Sequence, residues 1–315
     1  MGSPLNRLRH WVGASAEVSL VVEIAGNYVA ALRHRLGRVD AWAVRGLAEG
    51  AVRPGPLAEN ITDRAAVREA LEHVVGPVAD GARRCVLLVP DLLARVAVLE
   101  FDHWPERAEE ADALLRWRLS KDLPFDVAQA VLAYQAQPGR GQGREALVAV
   151  CLRPLLRQYE ECVEALGVHP GWVTLSTLAA LGWLGSNGAR PQLLVKPDAS
   201  SLGLAIAHGG AVRLFRTVPA PKGSGWRNNE EALFDKIYPA VVYFQEQWGQ
   251  PVGQSVLASP ERSTGSLGQR LEQELGCAVT EVNPAGLDLP PSPVSGSGPD
   301  HRLTPALGWA RGEAG

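Results

Sequence analysis

The stretch "VVEIAGNYVAALRH", Val21 to His34, decides how the chain is read. It opens with a short apolar strand, carries one acid at Glu23, turns at Gly26 and Asn27, and runs into a second strand. Asn beside Gly is ordinary hairpin-turn chemistry. A hairpin tip with a carboxylate, a glycine and exposed backbone N–H groups also suits a phosphate and its metal. On these residues alone both readings stand. Residues 16–24, 27–35 and 38–47 predict three consecutive strands in a meander, parted by "AGN" and "LGRVD". The pattern returns at "PQLLVKPDASSLGLAIAHGGAVRLFRTVP", residues 191–219: strand, turn, strand, "HGG" turn, strand. A meander followed by alternating helices and strands, met twice, predicts two similar α/β domains with a ligand cleft between them. The tips near Gly26 and Ser200 then face each other across that cleft.

Between the meanders the pattern predicts a helix over 61–75, capped by Thr62 or Asp63. Strands follow at 83–90 and 94–101, around "PDL". A helix over 105–121 has Pro105 at its start and Glu106, Glu109 and Glu110 in its first turn. Next come strands at 130–136 and 145–152, a helix at 154–166, a short strand or turn at 169–175 and a helix at 175–184. After "SNGARP" and the second meander the order is helix 228–248, strand 255–259, helix 263–275 and strand 278–282. The Pro/Gly/Ser-rich stretch 284–300 reads as mobile, and 303–313 as a final helix.

Composition bounds the function. The 315 residues suit two domains or one large α/β unit. With 31 basic and 34 acidic residues and no basic tract among aromatics, nothing points to nucleic acid. Cys85, Cys151, Cys162 and Cys277 lie far apart in apolar segments, without CxxC spacing. That predicts buried free thiols in a reducing compartment and no zinc site. The seven histidines show no ligand spacing. No signal peptide and no apolar run of about 18 residues is found, so a cytoplasmic protein is expected. Residues 1–15 read as a flexible N-terminal segment. Its Leu5, Leu8, Trp11 and Val12 beside Arg7, Arg9 and His10 suit either a frayed tail or contact with a membrane surface or partner.

Several segments together carry a family resemblance. They are "VVEIAGNYVAAL", "CVLLVPDLLARVAVLEF" with "LLRWRLSKDLPFDVAQAVLAYQ", "ALVAVCLRPLLRQYEECVEALGVHPGWVTLSTLA", "LLVKPDASSLGLAIAHGGAVRLFRTVP" and "LTPALGWAR". In order and spacing, from residue 16 to 312, the chain resembles the actin-like superfamily, and within it the PilM family of type IV pilus platform proteins. It is also similar to FtsA and to the cytoplasmic part of GspL. The resemblance implies an α/β fold of duplicated actin-like (ribonuclease H-like) domains, with an inserted subdomain in the first. Domain one would comprise 16–190 plus 301–315, the insert about 55–150, and domain two 191–300. It implies a peptide groove for the cytoplasmic tail of a PilN-like inner-membrane protein, peripheral membrane association through that partner, and other pilus or secretion platform proteins as neighbours. Leu123, Pro124 and Phe125 stand at the family's Leu-Pro-Phe element, as groove lining or as plain core packing.

The resemblance also implies a nucleotide site, and here the sequence departs from the pattern. Glu23 stands for the first-loop Asp, followed by Ala25 where glycine is usual. Lys196, Pro197 and Asp198 replace the second loop's Asp, Ile and Gly. "VLASPERSTG" (256–265) replaces a glycine-rich adenosine turn. Each lost glycine removes a close backbone approach to a ligand. Asp198, read as unpaired, and Glu261 would repel phosphates, while Lys196 would meet one. If nucleotide binds at all, Glu23, Gly26, Asn27, Ser200 and Ser201 would touch it. The expectation is a non-enzymatic scaffold with no catalytic residue, no metal and no resident cofactor, binding ATP with Mg weakly if at all. The alternative is an active ATPase or sugar-kinase-like phosphotransferase, for which Asp91 is the candidate base or else a turn residue. An FtsA-like filament former would end in a long amphipathic helix, and "WARGEAG" does not provide one.

Overall fold

The computed structural model describes residues 20–35, 38–139, 143–185, 189–221, 226, 229–261 and 266–314. The expected N-terminal segment 1–15 lies outside these residues. The first sheet starts with β1 (Leu20–Ile24), β2 (Tyr28–Arg35) and β3 (Arg38–Gly46), an antiparallel meander. Every residue of β1 is buried, as a central strand covered on both faces requires. β4 (Arg84–Val89) pairs parallel to β1, and β8 (His169–Leu175) pairs parallel to β4. The order is β3-β2-β1-β4-β8.

The second sheet repeats this plan. β9 (Gln192–Pro197), β10 (Ser201–His208) and β11 (Ala211–Pro219) form the meander. β12 (Gln254–Leu257) and β13 (Ala278–Glu281) extend it in parallel, giving β11-β10-β9-β12-β13. Even the irregularities correspond. The register shifts between Arg33 and His34 in β2 and between Ile206 and Ala207 in β10, toward the far end of each middle strand. Such bulges sharpen strand twist.

Helices cover the sheets with their apolar faces. α1 (Arg64–Ala79) buries Val67, Ala70, Leu71, Val74 and Val78 in the first core, and Asp63 caps it by accepting from the Ala66 amide at 2.9 Å. α3 (Arg153–Glu164) adds Leu155, Tyr159 and Val163. α5 (Glu230–Trp248) covers the second sheet with Leu233, Ile237, Val241 and Phe244, helped by α6 (Leu267–Leu275). A smaller sheet of β5 (Arg95–Phe101), β6 (Ala130–Pro138) and β7 (Arg144–Leu152), ordered β5-β7-β6, is covered by α2 (Ala108–Leu119).

Three expectations change. The insert does not begin near 55: α1 packs on the first sheet, β4 is a strand of it, and the inserted sheet starts at Arg95. The reason is burial, because "CVLLV" is covered throughout and fits a central strand between β1 and β8. α2 begins at Ala108, so Pro105 precedes the helix. The 284–300 stretch packs on the first domain. Leu287 and Leu289 join the cluster around Tyr28 and Trp42, and the Trp42 indole donates to the Pro290 carbonyl at 2.7 Å.

The chain closes with α7 (Thr304–Ala314), which crosses α4 (Ser176–Ala180) and the turn after it. A Cβ on Gly182 would sit 1.8 Å from the Gly308 carbonyl oxygen, so glycine is required for that crossing. Leu147, Ala180, Leu181, Leu194, Ala205 and Val256 form a core shared by the second sheet, the inserted sheet and α4 with the turn after it. Arg213 on β11 adds a polar clasp to the insert. It pairs with Glu145 at 2.7 Å, both buried, while Gln137 exchanges hydrogen bonds with the backbone of Val212.

Candidate functional site: an interdomain cleft and an apolar groove

The first candidate is where the two meanders meet. Glu23 ends up buried because β1 is central, and it accepts a hydrogen bond from the Ser176 hydroxyl at 2.8 Å. Burial pushes its carboxyl up to about 7, against the pull of Lys196 and Ser176. Asp91, the first residue after Pro90, is fully buried and accepts from the Thr177 amide at 2.9 Å and hydroxyl at 2.7 Å. Lys196, on β9, is 1% exposed. Its ammonium lies 2.7 Å from Asp198 and 3.1 Å from Asp91. Burial alone would lower the Lys196 pKa, but Asp198, Asp91 and Glu23 outweigh it and hold the group above the ordinary lysine range. Asp198 is likewise held low: burial opposes its charge, and Lys196 and the Ser200 donors overcome that.

Asp198 also organises its own hairpin tip. Its Oδ1 accepts from the amides of Ser200 and Ser201, each at 2.8 Å, and from the Ser200 hydroxyl at 2.9 Å. Its Oδ2 accepts from the Ser201 hydroxyl at 3.1 Å. The two tips touch. A Cβ on Gly26 would lie 3.5 Å from the Ser200 Cβ, and the Asn27 amide donates to Glu261 at 3.2 Å. Beneath them, a Cβ on Gly203 would lie 2.0 Å from the Thr177 hydroxyl. Only glycine admits that approach of β10 to α4.

The structure therefore brings Glu23, Gly26, Asn27, Ser200 and Ser201 to one place. Two charge readings are corrected. Asp198 is not unpaired, and Lys196 is not free to meet a phosphate, because each neutralises the other inside the protein. Asp91 is neither a free base nor a plain turn residue; it anchors Thr177 and Lys196. Sequence reasoning missed Ser176 and Thr177, whose only local signal is two hydroxyls at a helix start.

The second candidate is a groove of about 560 Å³ between the first sheet and the insert. Its walls are two sheet-edge strands, β8 (Gly171–Leu175) and β6 (Val131 and Ala133–Ala136). Leu93, Trp104, Tyr134, Trp172 and Leu178 give it an apolar lining. Trp104 stands edge-on to Tyr134, with ring centroids 5.6 Å apart. Leu123 and Phe125 do not line it. They pack against the insert core beside Leu115 and Leu119, and Pro124 is exposed. The aromatic lining comes from three separated segments, so no local motif announces it.

Two mixed sheets of the same order, facing each other across a cleft, with a small sheet inserted in the first, make this an actin-like ATPase fold. Among particular proteins, the chain superposes on the PilM–PilN type IV pilus biogenesis complex with a TM-score of 0.70 at 18% identity, covering 94% of this chain and 98% of that one. It also resembles the cytoplasmic domain of EpsL, an inner-membrane component of the type II secretion system of Vibrio cholerae. That TM-score is 0.50 at 15% identity, over 78% of this chain and 83% of that one. No protein-family model and no curated protein sequence matches the chain.

The resemblance implies Mg-ATP between the tips, and the residues present do not fit it. A phosphate site needs free backbone donors, and the Ser200 and Ser201 amides are spent on Asp198. A metal site needs free carboxylates, and here Lys196 holds Asp91 and Asp198 while Glu23 accepts from Ser176 and Glu261 from the Asn27 side chain. Among the described residues no group of three or more His, Cys, Asp or Glu is arranged to hold a metal ion.

Proposed function

We propose that the protein is a non-enzymatic scaffold of a type IV pilus or type II secretion-like inner-membrane platform, and that its groove holds the cytoplasmic tail of a PilN-like membrane protein. The observation that carries this reading is the groove between the β8 and β6 edges. An extended peptide gains main-chain hydrogen bonds from a strand edge and specificity from pockets for alternate side chains. The Trp104, Tyr134 and Trp172 lining supplies such pockets for apolar side chains. The likeness to a PilM that forms a complex with PilN supports the choice of partner. Membrane association then comes through the partner; among the described residues no helix is long and apolar enough to cross a membrane. The self-paired charges of the cleft support the absence of turnover and at most weak binding of ATP.

Fluorescence anisotropy with the labelled cytoplasmic tail of the PilN-like protein tests this. Saturable binding is expected. Ala133→Arg should weaken it at least tenfold, because Ala133 lines the groove and is exposed, so the new side chain blocks the groove without entering the core. Equal binding by the variant, or no binding by the wild type, would overturn the reading.

A further inference from the structure

The cleft holds charges of its own: the buried ammonium of Lys196 lies against the carboxylates of Asp91 and Asp198. A nucleotide-gated cleft closes because a ligand brings charges that each domain grips. Here the Lys196 ammonium, from the second domain, grips Asp91 of the first at 3.1 Å. The Asp198 carboxylate gathers the amides and hydroxyls of Ser200 and Ser201, donors that an incoming anion would otherwise take. The hairpin tip shaped in this way lies against Gly26.

We propose that Lys196 and Asp198 are a resident cation and a resident anion that keep the two domains closed without any ligand. A diffusible ligand closes a protein to an extent set by its concentration relative to its dissociation constant. A lysine and an aspartate built into the chain do so always, and a buried pair is little screened by salt. Thr177 and Gly203 complete the lock. Thr177 bonds Asp91 through both its amide and its hydroxyl while β10 passes against it at Gly203. The platform would then receive a fixed body, with its groove always presented, rather than a nucleotide-timed switch. This rests on the reading of the cleft as free of nucleotide, and not on what fills the groove.

Hydrogen exchange with peptide-level resolution, on wild type and Lys196→Met with and without Mg-ATP, tests the proposal. In the wild type, amides of 25–28 and 198–202 should be protected without ligand and unchanged by Mg-ATP. In the variant those amides and Thr177 should exchange at least about tenfold faster, while Leu204 to Ile206 in the core of β10 keep their wild-type rates. Tip exchange in the variant within about twofold of wild type would overturn the proposal. So would wild-type tips that exchange as open loops and slow only on adding Mg-ATP, an arm that decides the matter even if the variant does not fold. Phosphate release, measured in parallel, separates the two failures. Slowing without release sinks the resident-charge lock alone, and release sinks the non-enzymatic reading with it.

Discussion

Glu23→Gln should make the protein more stable, and the gain should grow with pH. Burial holds the Glu23 carboxyl at about 7 in the folded protein, against 4.5 for an ordinary glutamate. Between those values the folded state keeps a proton that the unfolded chain has released. Stability therefore falls as pH rises through this window and levels off above 7. At about 1.4 kcal/mol per pH unit, the gap corresponds to about 3 kcal/mol. Glutamine has no proton to lose, and its carbonyl still accepts the Ser176 hydroxyl. The difference in unfolding free energy between variant and wild type should rise by about 3 kcal/mol from pH 4.5 to 7.5 and then stay level. Urea unfolding followed by tryptophan fluorescence at half-unit pH steps reads it directly, since other titrating groups cancel in the difference. Two parallel profiles would refute the account of Glu23 as a desolvated acid.

Gly203→Ala should destabilise by about 1–3 kcal/mol as the new methyl displaces the Thr177 hydroxyl. Adding Thr177→Ala should relieve the clash, so thermal denaturation should show the double variant less impaired than the sum of the two. Glu145→Ala leaves the Arg213 charge buried without its ion-pair partner and should cost about 3–5 kcal/mol by urea denaturation. All four cysteines are free and buried, and burial pushes the Cys85 thiol up to about 12 and that of Cys151 up to about 11. None should react with a thiol reagent in the native protein near neutral pH, and all four should react in denaturant.

Much of the architecture is legible in the residues themselves. "VVEIAGNYVAALRH" and "LLVKPDASSLGLAIAHGG" carry their strands as short apolar runs and their turns as Gly, Asn and Asp, so each meander is a local signal. The extent of the insert is not. Whether "CVLLV" joins the first sheet or a separate one depends on parallel pairing with β1 and β8, which sequence neighbours do not reveal. The stretch 284–300 has a linker's composition, yet Trp42, 248 positions from Pro290, fixes it to the first domain. In the cleft, Lys196 and Asp198 are visible as charges in an apolar context, but their pairing with Asp91 follows only from the fold. The groove is less legible still, because its aromatic walls come from chain segments that meet only in three dimensions.

The most direct measurement is a calorimetric titration of the PilN-like cytoplasmic tail into the protein, with and without Mg-ATP, alongside a phosphate-release assay. The account predicts one tail bound per chain, the same affinity in both conditions, no heat from Mg-ATP alone at micromolar concentration, and no phosphate released. Micromolar binding of Mg-ATP with measurable hydrolysis, or tail binding that requires nucleotide, would contradict it.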